Sequence, residues 1–143
     1  MVELAGAADA GRDDAVDMVA LDRLRKGLAD LDRFVDEAAR AHSCTAAMYH
    51  LLMAVRTGRR GRGLDIGMLA ADLGVRHPSA AEMVRKAEAA AFVVSSVDPE
   101  DRRRVLVDLT DTGTKVLDDL AAAHRDEVRR RRAGFVAALQ ALG

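Results

Sequence analysis

The sequence has no tryptophan, one tyrosine, three phenylalanines and a single cysteine among 143 residues. With so few rings the interior must be built from Leu, Val, Ala and Met, which favours helices over a large sheet. Cys44 standing alone excludes an internal disulfide framework and any metal site made of several thiolates. No apolar run approaches the roughly 18 residues that a membrane span requires. The opening MVELAGAADAGRDDAV is acidic where a secretory n-region is basic, so a cytoplasmic location is expected. There is no phosphate-binding glycine motif following a strand, no fixed acid pair and no nucleophile with a recognisable base. Neither an enzyme nor a cofactor is therefore expected.

What the chain does contain is patterned. Its length fits a single domain over residues 1–143. A formal net charge of −1 conceals an uneven distribution. Residues 1–55 carry 6 basic and 10 acidic side chains, residues 56–104 carry 10 and 7, and residues 105–143 carry 6 of each. Only the central segment is net basic, which permits contact with nucleic acid.

From about Asp13 to Ala41, the residues Leu21, Leu24, Leu28, Leu31, Val35 and Ala38 recur in steps of three and four, predicting one long helix with a narrow apolar stripe. Ser43 or Thr45 can cap a second helix that buries Met48, Leu51, Leu52 and Val55. TGRRGRG, Thr57 to Gly63, then reads as a basic loop whose Arg59, Arg60 and Arg62 either touch phosphate or are merely solvated. Two short helices follow, DIGMLAADLG, which Asp65 can cap, and HPSAAEMVRKAEAAA. Ala80, Met83, Val84, Ala87 and Ala91 share one face of the latter, while His77, Ser79, Glu82, Arg85 and Lys86 occupy the other. This is the pattern of a helix-turn-helix. FVVSS and the alternation across Val105, Val107 and Leu109 predict a hairpin closed by VDPEDRR, where Asp98 and Asp101 can bond local amides. Thr110 can cap a final long helix carrying Leu117, Leu120, Val128, Phe135, Leu139 and Leu142. Both terminal helices, residues 12–42 and 111–143, are longer than the lobe at 43–110 can cover. A homodimer with a helical dimerisation layer is the expectation.

The fold class expected is mainly α with a small β-hairpin wing: a winged helix-turn-helix lobe plus long N- and C-terminal helices. In this order the elements resemble the MarR family of bacterial winged-helix regulators over nearly the whole chain. The most specific match is DRRRVLVDLT, in which Asp101, Arg103, Leu109 and Thr110 fall on the family's wing signature. LDIGMLAADLGV and SAAEMVRKAEAAAFV are similar to the family's first motif helix and recognition helix. Two departures stand out: Ala91 where the family usually has Gly at the close of the recognition helix, and Met48 where a Gln is common.

The resemblance implies a sequence-specific regulator of transcription, acting as a homodimeric repressor on a pseudo-palindrome in double-stranded DNA and answering to a small-molecule effector. It implies that Arg103 enters the minor groove, held by Asp101, and a long planar cation suits that narrow negative groove. Arg102 is a candidate phosphate contact, whereas Arg104 is expected to serve the strand. On the recognition helix His77, Ser79, Arg85 and Lys86 are candidate DNA contacts. Glu82 repels phosphate but can accept from cytosine. The effector crevice is expected between dimer layer and lobe, near Tyr49 and His50, but packing is the role expected of Tyr49 and no ligand residue is assigned.

Two other readings share these residues. One is a dimeric interaction module without specific DNA binding. The other is a redox response through Cys44, whose place at a helix start can lower a thiol pKa, set against the default of a buried, inert thiol. His42, His50, His77 and His124 match no compact ligand spacing, so no metal is expected. For RRRR, Arg129 to Arg132, the expectation is that some of these arginines pair with acidic residues of the N-terminal helix, such as Asp13, Asp14 or Asp17, at the dimer layer.

Overall fold

The computed structural model describes residues 15–58 and 63–143. Helix α1 spans Met18–Ala41, α2 Ala46–Thr57, α3 Ile66–Leu73, α4 His77–Ala89 and α5 Asp111–Ala141, with strands β1 at Leu64–Asp65, β2 at Val93–Val97 and β3 at Val105–Leu109. The winged helix-turn-helix order expected from the sequence is present. Asp13 and Asp14, and the arginines at 59, 60 and 62, lie outside the described residues.

Polar caps set the helix starts, each accepting from an amide that has no carbonyl partner inside the helix. Asp17 accepts from Ala20 N at 3.0 Å, so α1 begins at Met18, five residues later than the apolar stripe predicts. Of the two candidate caps for α2, Thr45 takes the position by accepting from Met48 N at 3.1 Å. Ser43 instead turns the chain, at φ 54°. Asp65 caps α3 through Met68 N, as its place before the first apolar residue predicts.

Helix α2 is the centre of the molecule. Tyr49, Leu51, Leu52, Ala54 and Val55 are all buried, because α3, α4, α5 and β3 surround it. Leu69, Val84, Ala87, Phe92, Val107, Leu117 and Leu120 complete the same cluster. Burial of each such aliphatic side chain stabilises the fold by about 1.5–3 kcal/mol relative to exposure.

The sheet has three strands in the order β1-β3-β2, all antiparallel. Val93 faces Leu109, Ser95 faces Val107, and Val97 faces Val105, so the expected hairpin is present, with Val97 ending its first strand and not opening the loop. The third strand, β1, was not expected: at two residues it has no periodicity to read. It places Leu64 opposite Val107 and Asp65 opposite Leu106. The root of the wing thereby lies against the start of α3.

Helices α1 and α5 run antiparallel, as the successive neighbours His42 and Asp119, Asp30 and Arg131, and Gly27 and Phe135 show. Within one chain this pair buries only part of its apolar stripes. Val35 and Ala39 are buried, but Leu21 is 44% and Leu28 49% exposed, and Val128, Leu139 and Leu142 are exposed on α5. Of Arg130 and Arg131, the latter finds an acidic partner on the N-terminal helix, as expected, though that partner is Asp30. Both bond Glu127, and Arg131 also reaches Asp30 of α1 at 3.7 Å. Spacing explains the Glu127 bonds, since Glu127 lies one turn back on the same helix face, while Asp17 is engaged in its cap.

Candidate nucleic-acid interface

The turn between α3 and α4 requires a left-handed residue, and Gly74 supplies it at φ 65°. Helix α4 then starts at His77 with Pro78 in its first turn and Arg76 as N-cap, whose side chain makes no capping bond. The first-turn amides of α4 therefore have no side-chain acceptor from the cap. Ala80, Val84 and Ala87 fix the inner face by burial. His77, Ser79, Glu82, Arg85 and Lys86 are all exposed on the outer face, as the spacing predicts.

Two of these residues engage each other. Arg85 donates to Glu82 Oε2 through Nε at 3.1 Å and Nη2 at 2.7 Å. Hydrogen bonding to Arg85 holds the Glu82 carboxyl below the usual carboxylate range. The acidic residue on this face is thus already partnered by a cation, and the guanidinium is held along the helix surface.

The exit of α4 is strained at Ala91, the position of that departure from glycine. Ala91 adopts φ 61°, the left-handed position that favours glycine. Phe92 N donates to Ala87 O and Ala91 N to Glu88 O, both at 2.9 Å, closing the helix before β2 begins.

The wing loop is organised by its aspartates. Asp98 accepts from Glu100 N at 2.9 Å. Asp101 Oδ1 accepts from both Arg103 N at 3.1 Å and Arg103 Nε at 3.2 Å. The Arg103 hydrogen bond lowers the Asp101 carboxyl pKa. The Arg103 side chain is 91% exposed, and Arg102 is exposed beside it. Arg104 turns the other way, with Nε donating to Asp65 Oδ2 at 2.9 Å and Nη1 lying 3.5 Å from Asp98 Oδ2.

A cleft of about 310 Å³ runs between the wing and the helix-turn-helix, lined by Asp65, Ile66, Gly67, His77, Arg103, Arg104 and Val105. The fold brings His77 and Arg103 to this one opening. Ser79, Glu82, Arg85 and Lys86 lie on the outer face of α4 outside its lining, and Arg102 lines a separate shallow cleft with Val97, Asp98 and Pro99. Arg104 with Asp65 is the feature that sequence reading missed. The two are 39 residues apart, and the sequence marks Asp65 as a cap and Arg104 as serving the strand without linking them.

Tyr49 is 1% exposed and its hydroxyl lies 3.0 Å from His124 Nδ1, so it packs between α2 and α5, the packing role expected of it. His50 lines a cleft with Met53, Ala54, Thr57, Asp72 and Leu73, between α2 and α3. A further cleft of about 390 Å³, lined by Arg23, Gly27, Arg130, Arg131, Gly134 and Phe135, lies between α1 and α5. Cys44 is buried, as the default of an inert thiol expects, and burial pushes its thiol pKa up, against the redox alternative. The residue precedes the Thr45 cap, and desolvation outweighs the backbone hydrogen bonds it gains. Among the described residues no group of three or more His, Cys, Asp or Glu is placed to hold a metal ion. No helix there is long and apolar enough to cross a membrane.

No protein-family model matches the sequence, and no curated protein matches it. Solved structures do. CouR from Rhodococcus jostii RHA1, determined with p-coumaroyl-CoA bound, is similar with a TM-score of 0.67 and 24% identity, covering 80% of this chain and 78% of that one. A mutant of MepR from S. aureus, bound to an oligodeoxyribonucleotide, has a TM-score of 0.68 and 19% identity over 83% of this chain and 94% of its own. A MarR-family transcriptional regulator from Rhodococcus sp. RHA1 has a TM-score of 0.67 and 21% identity over 82% of each chain. At this level of identity these neighbours establish architecture. The chain has the winged-helix fold of the MarR-family regulators.

Proposed function

We propose that the chain is a MarR-type transcriptional regulator and not an enzyme. In this reading it works in the cytoplasm as a homodimer on a pseudo-palindromic operator whose half-sites lie about one helical turn apart. The observation that carries this is the joint presence of His77 and Arg103 on one cleft, beside an α4 face that exposes Ser79, Glu82, Arg85 and Lys86. A helix lying in the major groove would then set the wing over the adjacent minor groove.

Each residue takes a role that its surroundings allow. Arg103 reads the narrow minor groove, with Asp101 limiting its rotamers. Ser79 and the uncapped amides of α4 hold phosphate. Lys86 and Arg102 add sequence-independent attraction. Arg85 reads a base edge once it releases Glu82 or brings it along as a cytosine acceptor.

Residues 12–42 and 111–143 form the dimerisation layer in this proposal, and 43–110 the DNA-binding lobe. The exposed Leu21, Leu28, Leu139 and Leu142 support the assignment, because stripes this apolar gain from a second copy. A small-molecule effector would change the spacing of the two α4 helices, and the CouR complex with p-coumaroyl-CoA supports a ligand-responsive role for this fold.

Selection of binding sites from a pool of random duplexes, read alongside the solution mass, tests the proposal. A dimer that enriches an inverted repeat supports it. A dimer that enriches nothing at low salt would favour an interaction module that kept the winged-helix shape.

A further inference from the structure

The wing arginine proposed to read DNA is tied only to its own loop by the contacts seen at Asp101. Asp101 bonds Arg103 N and Nε, so it fixes the guanidinium relative to the loop tip, not relative to α4. A two-stranded ribbon is by itself a marginal structure. The β1 strand that joins it to the rest of the lobe contributes two residues. Something else must hold the loop at a set distance from the recognition helix.

We propose that Arg104 is the positioning residue that sets the wing against the helix-turn-helix and so aims Arg103. Its guanidinium bridges two carboxylates from different parts of the fold. Asp65, 2.9 Å away, is the N-cap of α3 and is itself held by Met68 N at 2.8 Å. Asp98, 3.5 Å away, opens the wing loop, and its side chain is largely buried. Backbone bonds tighten the same corner: Asp98 N donates to Arg104 O, and Arg104 N to Asp101 O, each at 2.9 Å. One side chain thus joins the start of α3, the root of the loop and, through its own amide, the aspartate that orients Arg103. Arg104 and Asp65 also line the cleft on which His77 and Arg103 meet, so this bridge sets the width between those two side chains. A planar guanidinium suits the task because it can address two carboxylates at once, whereas an ammonium is a single point of charge.

The inference rests on the DNA-binding reading, and its test separates the two. Arg104→Met keeps the aliphatic stem and removes the bridge. Hydrogen exchange in the free protein is the first readout: the amides of Asp98 and Arg104 should exchange about tenfold faster in the variant, while those of α2 remain unchanged. Binding to a selected duplex is the second. Arg104→Met should weaken it about tenfold, Arg104→Lys by less, and Arg104→Met added to Arg103→Ala should cost less than about twofold more, since the aimed contact is already gone. Hydroxyl-radical protection of the minor groove should be lost in Arg104→Met, with major-groove protection retained. Unchanged exchange of the wing amides would overturn the proposal, as would fully multiplicative effects of Arg103→Ala and Arg104→Met, which would make Arg104 a DNA contact in its own right. If the wild-type protein binds no duplex, the regulator reading fails. The exchange measurement alone then decides whether Arg104 holds the wing.

Discussion

The hydroxyl of Thr110 donates to the carbonyl of Ala91 at 2.6 Å and, as the cap of α5, accepts from Gly113 N at 3.0 Å. One side chain therefore joins the end of α4 to the start of the long C-terminal helix. Thr110 N also donates to Phe92 O at 3.1 Å, and a Cβ on Gly113 would lie 1.9 Å from that same carbonyl oxygen. The corner has no room for a larger residue at 113.

Two opposite effects are expected at this corner. Thr110→Val removes the cap and leaves the Ala91 carbonyl without its hydroxyl, lowering stability by about 1–2 kcal/mol. Ala91→Gly relieves a left-handed conformation that alanine resists, raising stability by about 1 kcal/mol. Urea denaturation followed by circular dichroism measures both, and an Ala91→Gly variant no more stable than wild type would contradict the strain assigned to φ 61°.

Tyr49 and His124 join α2 to α5 through a 3.0 Å contact within the core. Tyr49→Phe keeps the ring and should cost about 1 kcal/mol, whereas Tyr49→Ala leaves a cavity and should cost about 3–5 kcal/mol. Equal losses for the two variants would mean that the hydroxyl, not the ring, carries the contribution.

Asp65 titrates in a defined direction. The Met68 amide, followed by the Arg104 guanidinium, holds its carboxyl below the ordinary carboxylate range. A group whose folded pKa is depressed stabilises the fold above its unfolded pKa of about 3.9 and loses that contribution as pH falls through the folded value. Asp65→Asn preserves a cap and loses the ion pair. Its stability at pH 7 should be lower by about 1 kcal/mol, and the gap to wild type should close as pH drops from about 4 towards 2. Parallel pH profiles for the two proteins would refute the assignment.

Cys44 should behave as an inert thiol. Its burial and raised pKa leave little exposed thiolate at neutral pH. Reaction with a chromogenic disulfide should be slow in the native protein and fast in denaturant. Rapid native reaction, together with a peroxide-dependent loss of DNA binding, would revive a redox role.

The features legible in the sequence were those with a local signal. Thr45, Asp65 and Thr110 announced helix starts because a cap acts on amides within a single turn. The wing strands were visible through their alternation, and the strain at Ala91 through its departure from glycine. What could not be read depends on distance in the chain. The β1 strand has too few residues to show a period. Arg104 finds Asp65 only after the sheet forms, and the partners of Arg131 depend on how α5 packs along α1. The clefts follow the same rule, since each is lined by residues from separate elements.

The most direct measurement of the central claim is the affinity of wild type and Arg103→Ala for a selected inverted-repeat duplex and an unrelated duplex of equal length, at several salt concentrations. The account predicts tight binding of the selected duplex that weakens steeply with salt. It further predicts that Arg103→Ala loses about 1–3 kcal/mol on that duplex and much less on the unrelated one. Equal affinity of the wild type for both duplexes, or an Arg103→Ala variant that binds the selected duplex as well as wild type does, would contradict it.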